Sequence, residues 1–176
     1  MKLVRVAAVA GVIALAGVLA WRLTHQNNAT AKAVLHHKIV PAPAFRLDRL
    51  GGGPPVTLAA LRGKAVVVNF WSSYCGPCKK EMPRLQRAAQ RWAARDVVVV
   101  GIDTIDNHSA ARDFARKHGV TYPIGFDDVA EIADRYGVSY TPTTFFVDRR
   151  GRIVKSVLGG LTTNQLDAQI ERALRT

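Results

Sequence analysis

The stretch that decides the fold runs Ala65-Val-Val-Val-Asn-Phe-Trp71 and continues without a break into Ser72-Ser-Tyr-Cys75-Gly-Pro-Cys78-Lys-Lys-Glu81-Met-Pro83. A valine-rich apolar run behind Gly63-Lys64 predicts a strand covered on both faces. From the cysteines to about Arg95, Met82, Leu85, Ala89 and Trp92 oppose Lys80, Arg84, Arg87, Arg91 and Arg95 at helical spacing. That pattern predicts a long amphipathic helix whose basic side is a solvated face. A second valine run, Val97 to Ile102, completes a β-α-β unit with parallel strands. The two cysteines therefore fall where a buried strand hands over to a helix.

A sulfur at a helix N-terminus meets unpaired amides and the positive end of the helix dipole, and both favour thiolate. Cys75 is accordingly read as the attacking nucleophile. Cys78 lies one turn deeper on the same face, where it can resolve a mixed disulfide formed on Cys75. The chain has 2 cysteines, so a framework of structural disulfides is excluded. In an exported protein a lone Cys-x-x-Cys pair reads as a redox couple rather than a staple. A zinc site would need two further ligands, and neither a second cysteine pair nor a closely spaced histidine pair of the usual form is present. His36 and His37 are adjacent in a tether and would point apart. No metal and no cofactor beyond the Cys75-Cys78 disulfide is expected.

Downstream, a helix is predicted from about Ser109 to His118, leading into Thr121-Tyr-Pro-Ile124. A shorter one follows near Val129 to Tyr136, opened by an Asp128 cap with Glu131 three residues on. Thr143 to Val147 and Ile153 to Leu158 flank Asp148-Arg-Arg-Gly151, a hairpin turn signal, and Thr162-Thr-Asn-Gln165 forms a capping box for the last helix. Upstream, Phe45-Arg-Leu-Asp48 and Val56-Thr-Leu58 surround the turn cluster Gly51-Gly-Gly-Pro-Pro55, which predicts an N-terminal hairpin.

At 176 residues, 48% hydrophobic and 22% charged, the chain has the composition of one packed domain with a short appendage and not of a disordered protein. Its first segment, Met-Lys-Leu-Val-Arg5, precedes an uncharged run from Val6 to Trp21. Two readings fit. One is a short membrane anchor, lengthened by Leu23 and a snorkelling Arg22, with Trp21 at the interface. The other is a cleaved signal peptide, with Val18-Leu19-Ala20 or Ala29-Thr30-Ala31 before the cut. Lys2 and Arg5 place the N-terminus in the cytoplasm, and both readings send the remainder across the membrane. The expected division is 1–23 as anchor or signal segment, 24–40 as tether, and 41–176 as the folded domain. The formal net charge of +12 resides mostly in that domain, because only Lys2, Arg5 and Arg22 lie in or beside the first hydrophobic stretch. By itself it does not choose between an anionic membrane and a nucleic acid.

Asn69 to Pro83 resembles the active-site segment of the thioredoxin superfamily, specifically its TlpA/ResA/CcmG branch of membrane-anchored thiol-disulfide oxidoreductases. The resemblance covers about Pro41 to Thr176. Its second signature is Thr141-Pro-Thr-Thr-Phe-Phe-Val-Asp148, which is similar to the family loop bearing a cis-proline beside the disulfide, and Asp103 to Pro123 is similar to the branch's central insertion. The implied fold is α/β: a thioredoxin fold with an N-terminal β-hairpin, a mixed central sheet with helices on both faces, and one preceding transmembrane segment. Thr141 and Pro142 would form a docking edge for an extended substrate chain, and Pro83 would kink the first helix.

Two further residues keep alternatives. Trp71 either walls the cysteines, as a substrate-binding residue, or is core. Asn69 stands where thioredoxins carry a buried aspartate that moves protons. Members of the tethered branch instead have a glutamate just after the motif, matching Glu81, which would be catalytic. The other reading of Glu81 is a first-turn glutamate paired with Arg84.

The resemblance implies reduction of disulfides in exported proteins, with an apocytochrome c haem site as one candidate. It also implies re-reduction by a transmembrane thiol donor of the CcdA or DsbD kind, the membrane held through the N-terminal helix, and no nucleic-acid partner. A copper-assembly module like Sco uses Cys-x-x-x-Cys with a later His, unlike the spacing here. A redox-silent tethered binding domain remains the alternative of another class. The Pro-x-x-x-Thr-x-x-Cys pattern of a peroxidase does not precede Cys75.

Overall fold

The valine-rich run forms the centre of the sheet in the computed structural model, which describes residues 14–18 and 38–176. Strand β4 (Ala65–Trp71) pairs in parallel with β5 (Val97–Thr104), and β5 in parallel with β6 (Ile124–Asp127). On its other side β4 pairs antiparallel with β7 (Thr143–Val147). There β7, β8 (Arg152–Leu158) and the two-residue β1 (Val40–Pro41) continue antiparallel, giving the order β1-β8-β7-β4-β5-β6. Every residue of β4 is buried, as its unbroken apolar sequence requires. Helices α1 (Gly76–Trp92), α2 (His108–Lys117) and α4 (Thr163–Arg175) share one core with one face of the sheet, and α3 (Glu131–Tyr136) packs on the other.

The local signals act as expected in most places. Thr162 and Gln165 close a reciprocal capping box at the start of α4. The β7–β8 turn is held by the Asp148 carboxylate, which accepts from the Arg150 and Arg152 amides and from the Arg152 side chain. The predicted N-terminal hairpin is present as β2 (Arg46–Leu47) and β3 (Val56–Thr57). It also covers the outer edge of β6: the Phe126 amide donates to the Asp48 carbonyl and the Leu50 amide to the Ile124 carbonyl, both at 3.0 Å. An exposed sheet edge is a liability that such a cover removes. The cover requires Gly125, because a Cβ there would lie 2.8 Å from Leu47.

Two expectations are corrected. First, α3 begins at Glu131 and is not capped by Asp128. Ala130 takes a left-handed conformation (φ 58°), and the Asp127 carboxylate accepts from the amides of Ile132 (3.2 Å) and Ala133 (2.9 Å). Asp127 ends β6 and is held facing the helix, whereas Asp128 is exposed. Second, β5 extends two residues beyond its apolar run, because β6 offers ladder partners to Asp103 and Thr104. Pro83 lies inside α1, which spans Gly76 to Trp92, so the long helix expected around it is present. The anchor predicted for 1–23 and most of the tether at 24–40 lie outside the described residues. Among those described, no helix is long and apolar enough to cross a membrane.

The buried cap gives a test that separates neighbouring aspartates. Asp127→Ala should lower unfolding free energy by roughly 1–3 kcal/mol, the range for losing a buried capping carboxylate. Asp128→Ala should stay within about 0.5 kcal/mol, as exposed substitutions do. Urea denaturation of the two variants against the parent measures both.

Candidate active site

The last residue of β4 is Trp71, and four residues later Cys75 is the N-cap of α1. Its backbone is extended (φ −79°, ψ 105°), and its sulfur accepts a hydrogen bond from the Cys78 amide at 3.2 Å. The cysteine thus takes the place normally filled by a capping oxygen, so a negative charge on that sulfur would be met by helix-end donors. Gly76 and Pro77 occupy the first turn, where proline's missing N–H is no loss. Cys75 and Cys78 form a disulfide, with Cα atoms 5.3 Å apart. Cys75 is the more accessible, at 7% against 2% for Cys78.

Glu81, one turn beyond Cys78, is only 1% exposed. Its Oε1 accepts the Leu161 amide at 2.9 Å and its Oε2 the Asn69 side-chain amide at 3.2 Å. Asn69 also donates to the Thr144 hydroxyl at 2.9 Å, so the side chain from β4 links α1 to β7. Burial pushes the Glu81 carboxyl above its ordinary value, while the Leu161 and Asn69 hydrogen bonds and the Arg84 charge pull the other way. The surface pairing of Glu81 with Arg84 does not occur: Arg84 donates to the Leu161 carbonyl at 3.2 Å. The two side chains therefore hold both polar groups of the Leu161 peptide backbone, which is why the glutamate points inward.

Trp71 is fully buried in the cluster that contains both cysteines and stacks on Phe114, with ring centroids 5.5 Å apart. Gly101 makes room for it, since a Cβ there would lie 2.9 Å from the indole nitrogen. It stands behind the disulfide and offers no surface to solvent. Thr141 and Pro142 are joined by a cis peptide bond. Thr143 is in register with Phe70, so Pro142 stands level with Trp71 at the end of β4 that leads to the cysteines. No backbone hydrogen bond outside the regular elements engages Thr141.

Sequence reasoning missed a second group on the neighbouring strand. Asp106 accepts from both the amide and the hydroxyl of Ser73, the latter at 2.9 Å, and Asp103 is fully buried at the register position of Trp71. An acid closing a buried valine strand was the available signal.

A disulfide presented at a helix N-terminus beside a cis-proline turn, on a mixed sheet with helices on both faces, defines a thioredoxin-fold thiol-disulfide oxidoreductase. The AhpC/TSA family profile matches residues 40–156, and the chain belongs to that family. It is 31% identical over 131 residues to the thiol-disulfide oxidoreductase ResA of Bacillus thuringiensis (strain Al Hakam), covering 74% of this chain and 75% of that one. Among solved structures it is similar to a putative thiol:disulfide interchange protein DsbE from Chlorobium tepidum, with TM-score 0.71 and 28% identity over 76% of this chain and 95% of that one. A secreted Mycobacterium tuberculosis disulfide oxidoreductase, homologous to Escherichia coli DsbE, matches with TM-score 0.65 and 27% identity over 73% and 95%.

The buried glutamate makes stability depend on pH in a fixed direction. A carboxyl whose folded pKa is raised stabilises the fold below its ordinary value of 4.5 and loses that contribution as pH rises through the folded value. Glu81→Gln removes the titration, so the oxidised variant should gain in melting temperature relative to wild type as pH rises above 4.5. A difference constant from pH 4 to pH 8 would contradict the burial argument.

Proposed function

We propose that the protein is an extracytoplasmic reductase of disulfides in exported proteins, working through Cys75 and Cys78. The observation that carries this reading is the Cys75 sulfur as N-cap of α1, accepting the Cys78 amide, with its partner sulfur one turn deeper. In the reduced protein the Cys75 thiolate attacks one sulfur of a substrate disulfide. A mixed disulfide forms and the other substrate sulfur leaves as thiolate. Cys78 then loses its proton and attacks the Cys75 sulfur, which releases the second substrate thiolate and leaves the Cys75–Cys78 disulfide. Two electrons pass to the substrate, and the Cys78 and Cys75 protons end on its thiols.

Glu81 is the proposed acceptor of the Cys78 proton. Its burial raises its affinity for a proton, and it lies one helical turn from the sulfur that must give one up. Thr141 and Pro142 form the docking edge for an extended substrate segment, and Trp71 walls the site from behind. The direction of transfer rests on the Gly-Pro between the cysteines, shared with reducing thioredoxins, where strongly oxidising relatives carry a histidine. An extracytoplasmic place agrees with the basic and apolar N-terminal segment and with the secreted neighbour above. A reductase there needs electrons from across the membrane, so a thiol donor of the CcdA or DsbD kind is its proposed partner. The disulfide of an apocytochrome c haem site is a proposed substrate.

Cys78→Ser should halt the reaction at the mixed disulfide. Mixed with a disulfide-bearing exported protein, the reduced variant should accumulate an adduct on Cys75 visible by intact mass, and Cys75→Ser should form none. In the reduced wild type, Cys75 should be alkylated before Cys78. Adducts forming equally in both variants would overturn the assignment of roles.

A further inference from the structure

Asp103 has no exposed surface, and neither of its carboxyl oxygens receives a hydrogen bond from any described donor. A buried carboxylate without donors costs several kcal/mol, so such a group is retained neutral or serves something. The adjoining chain shows what it could serve. Ile105 adopts φ 49°, a left-handed conformation that is unusual and strained for a β-branched residue. The reversal presents the Ile105 carbonyl to the Tyr74 hydroxyl at 3.1 Å and the Asp106 carboxylate to Ser73. Asp106 accepts the Ser73 amide, the Ser73 hydroxyl and its neighbour's amide at Asn107 (2.6 Å). The segment after β5 therefore grips the loop Ser72-Ser73-Tyr74, the last three residues before Cys75.

We propose that Asp103 is a positioning residue of the dithiol site: as a neutral acid it donates its proton to Asp106, and the pair holds Ser73 and with it the loop that presents Cys75. As a carboxylate Asp103 has no hydrogen-bond donor among the described residues, whereas as an acid it could donate to Asp106, the carboxylate three residues on that already accepts from Ser73. Burial first, then the charge of Asp106, the hydrogen bond to it, and the charge of Asp127 push the Asp103 carboxyl up to about 9. The groups facing it are acidic on both flanks: Asp106 after β5 and Asp127 at the end of β6. On α2 the ring of His108 meets Phe126, the register partner of Asp103. From β4 its register partner is the neutral Trp71. Loss of the Asp103 proton would set two adjacent carboxylates against each other and loosen the hold on Ser73.

This inference concerns the dithiol site and holds for either direction of electron transfer. The oxidised full-length protein is the sample of choice, because its cysteines do not titrate. In carbon-detected spectra, which tolerate amide exchange at alkaline pH, the Ser73 signals should move through one alkaline step, and Asp103→Asn should abolish that step. In reduced protein, Asp103→Leu should slow disulfide exchange several-fold, and Asp103→Asn, which keeps an N–H donor toward Asp106, should restore most of the rate. Ser73 signals that do not titrate, or that titrate identically in Asp103→Asn, would overturn the proposal. So would equal rates in the asparagine and leucine variants. Should the leucine variant fail to fold, the spectra of the asparagine variant still decide.

Discussion

The sulfur of Cys75 depends on where α1 begins, and α1 begins where it does because β4 cannot move. A strand buried along its whole length, paired on both sides, has one register in which its valines reach the two cores. That register fixes Trp71 at the end of the strand, and four residues later the chain must cap a helix. The N-cap place then falls to a cysteine. The reactivity expected of that sulfur is a property of position rather than of neighbouring charge, since helix-end amides act on whatever atom caps them.

Around this fixed point the protein buries polar groups that a purely apolar core would exclude. Asn69, Glu81 and Thr144 form one connected group beneath the cysteines, and each has a partner. Its cost is desolvation of a carboxyl, and its benefit is a proton site one turn from Cys78. Asp103 is the contrasting case, a buried acid whose oxygens find no hydrogen-bond donor among the described residues. The two acids lie on different elements, Glu81 on α1 and Asp103 on β5. Asn69 is the amide at the centre of this group, and the acid it holds is Glu81 on α1.

Much of this was legible in sequence. The cysteine motif at a strand-helix junction, the β-α-β unit and the closing hairpin and helix all follow from periodicity and turn chemistry, because each depends on residues close in the chain. Glu81 was legible only as an alternative: spacing places it beside Cys78, but whether it turns inward depends on Leu161, eighty residues away. Asp103 was hidden because the strand outlasts its apolar run, and the continuation is decided by β6, a non-local partner. The capping aspartate was misplaced by one residue for the same reason. Asp127 faces the helix only because β6 orients it, while Asp128 has the better local pattern.

The Cys-Gly-Pro-Cys pair at this helix start is proposed to give electrons rather than take them. Equilibrating the folded protein with glutathione buffers and reading the Cys75–Cys78 disulfide by alkylation gives its reduction potential. A reductase should give a value near the thioredoxin end of the scale, about −270 mV, and a value near about −120 mV, as in strongly oxidising relatives, would make the protein an oxidant instead.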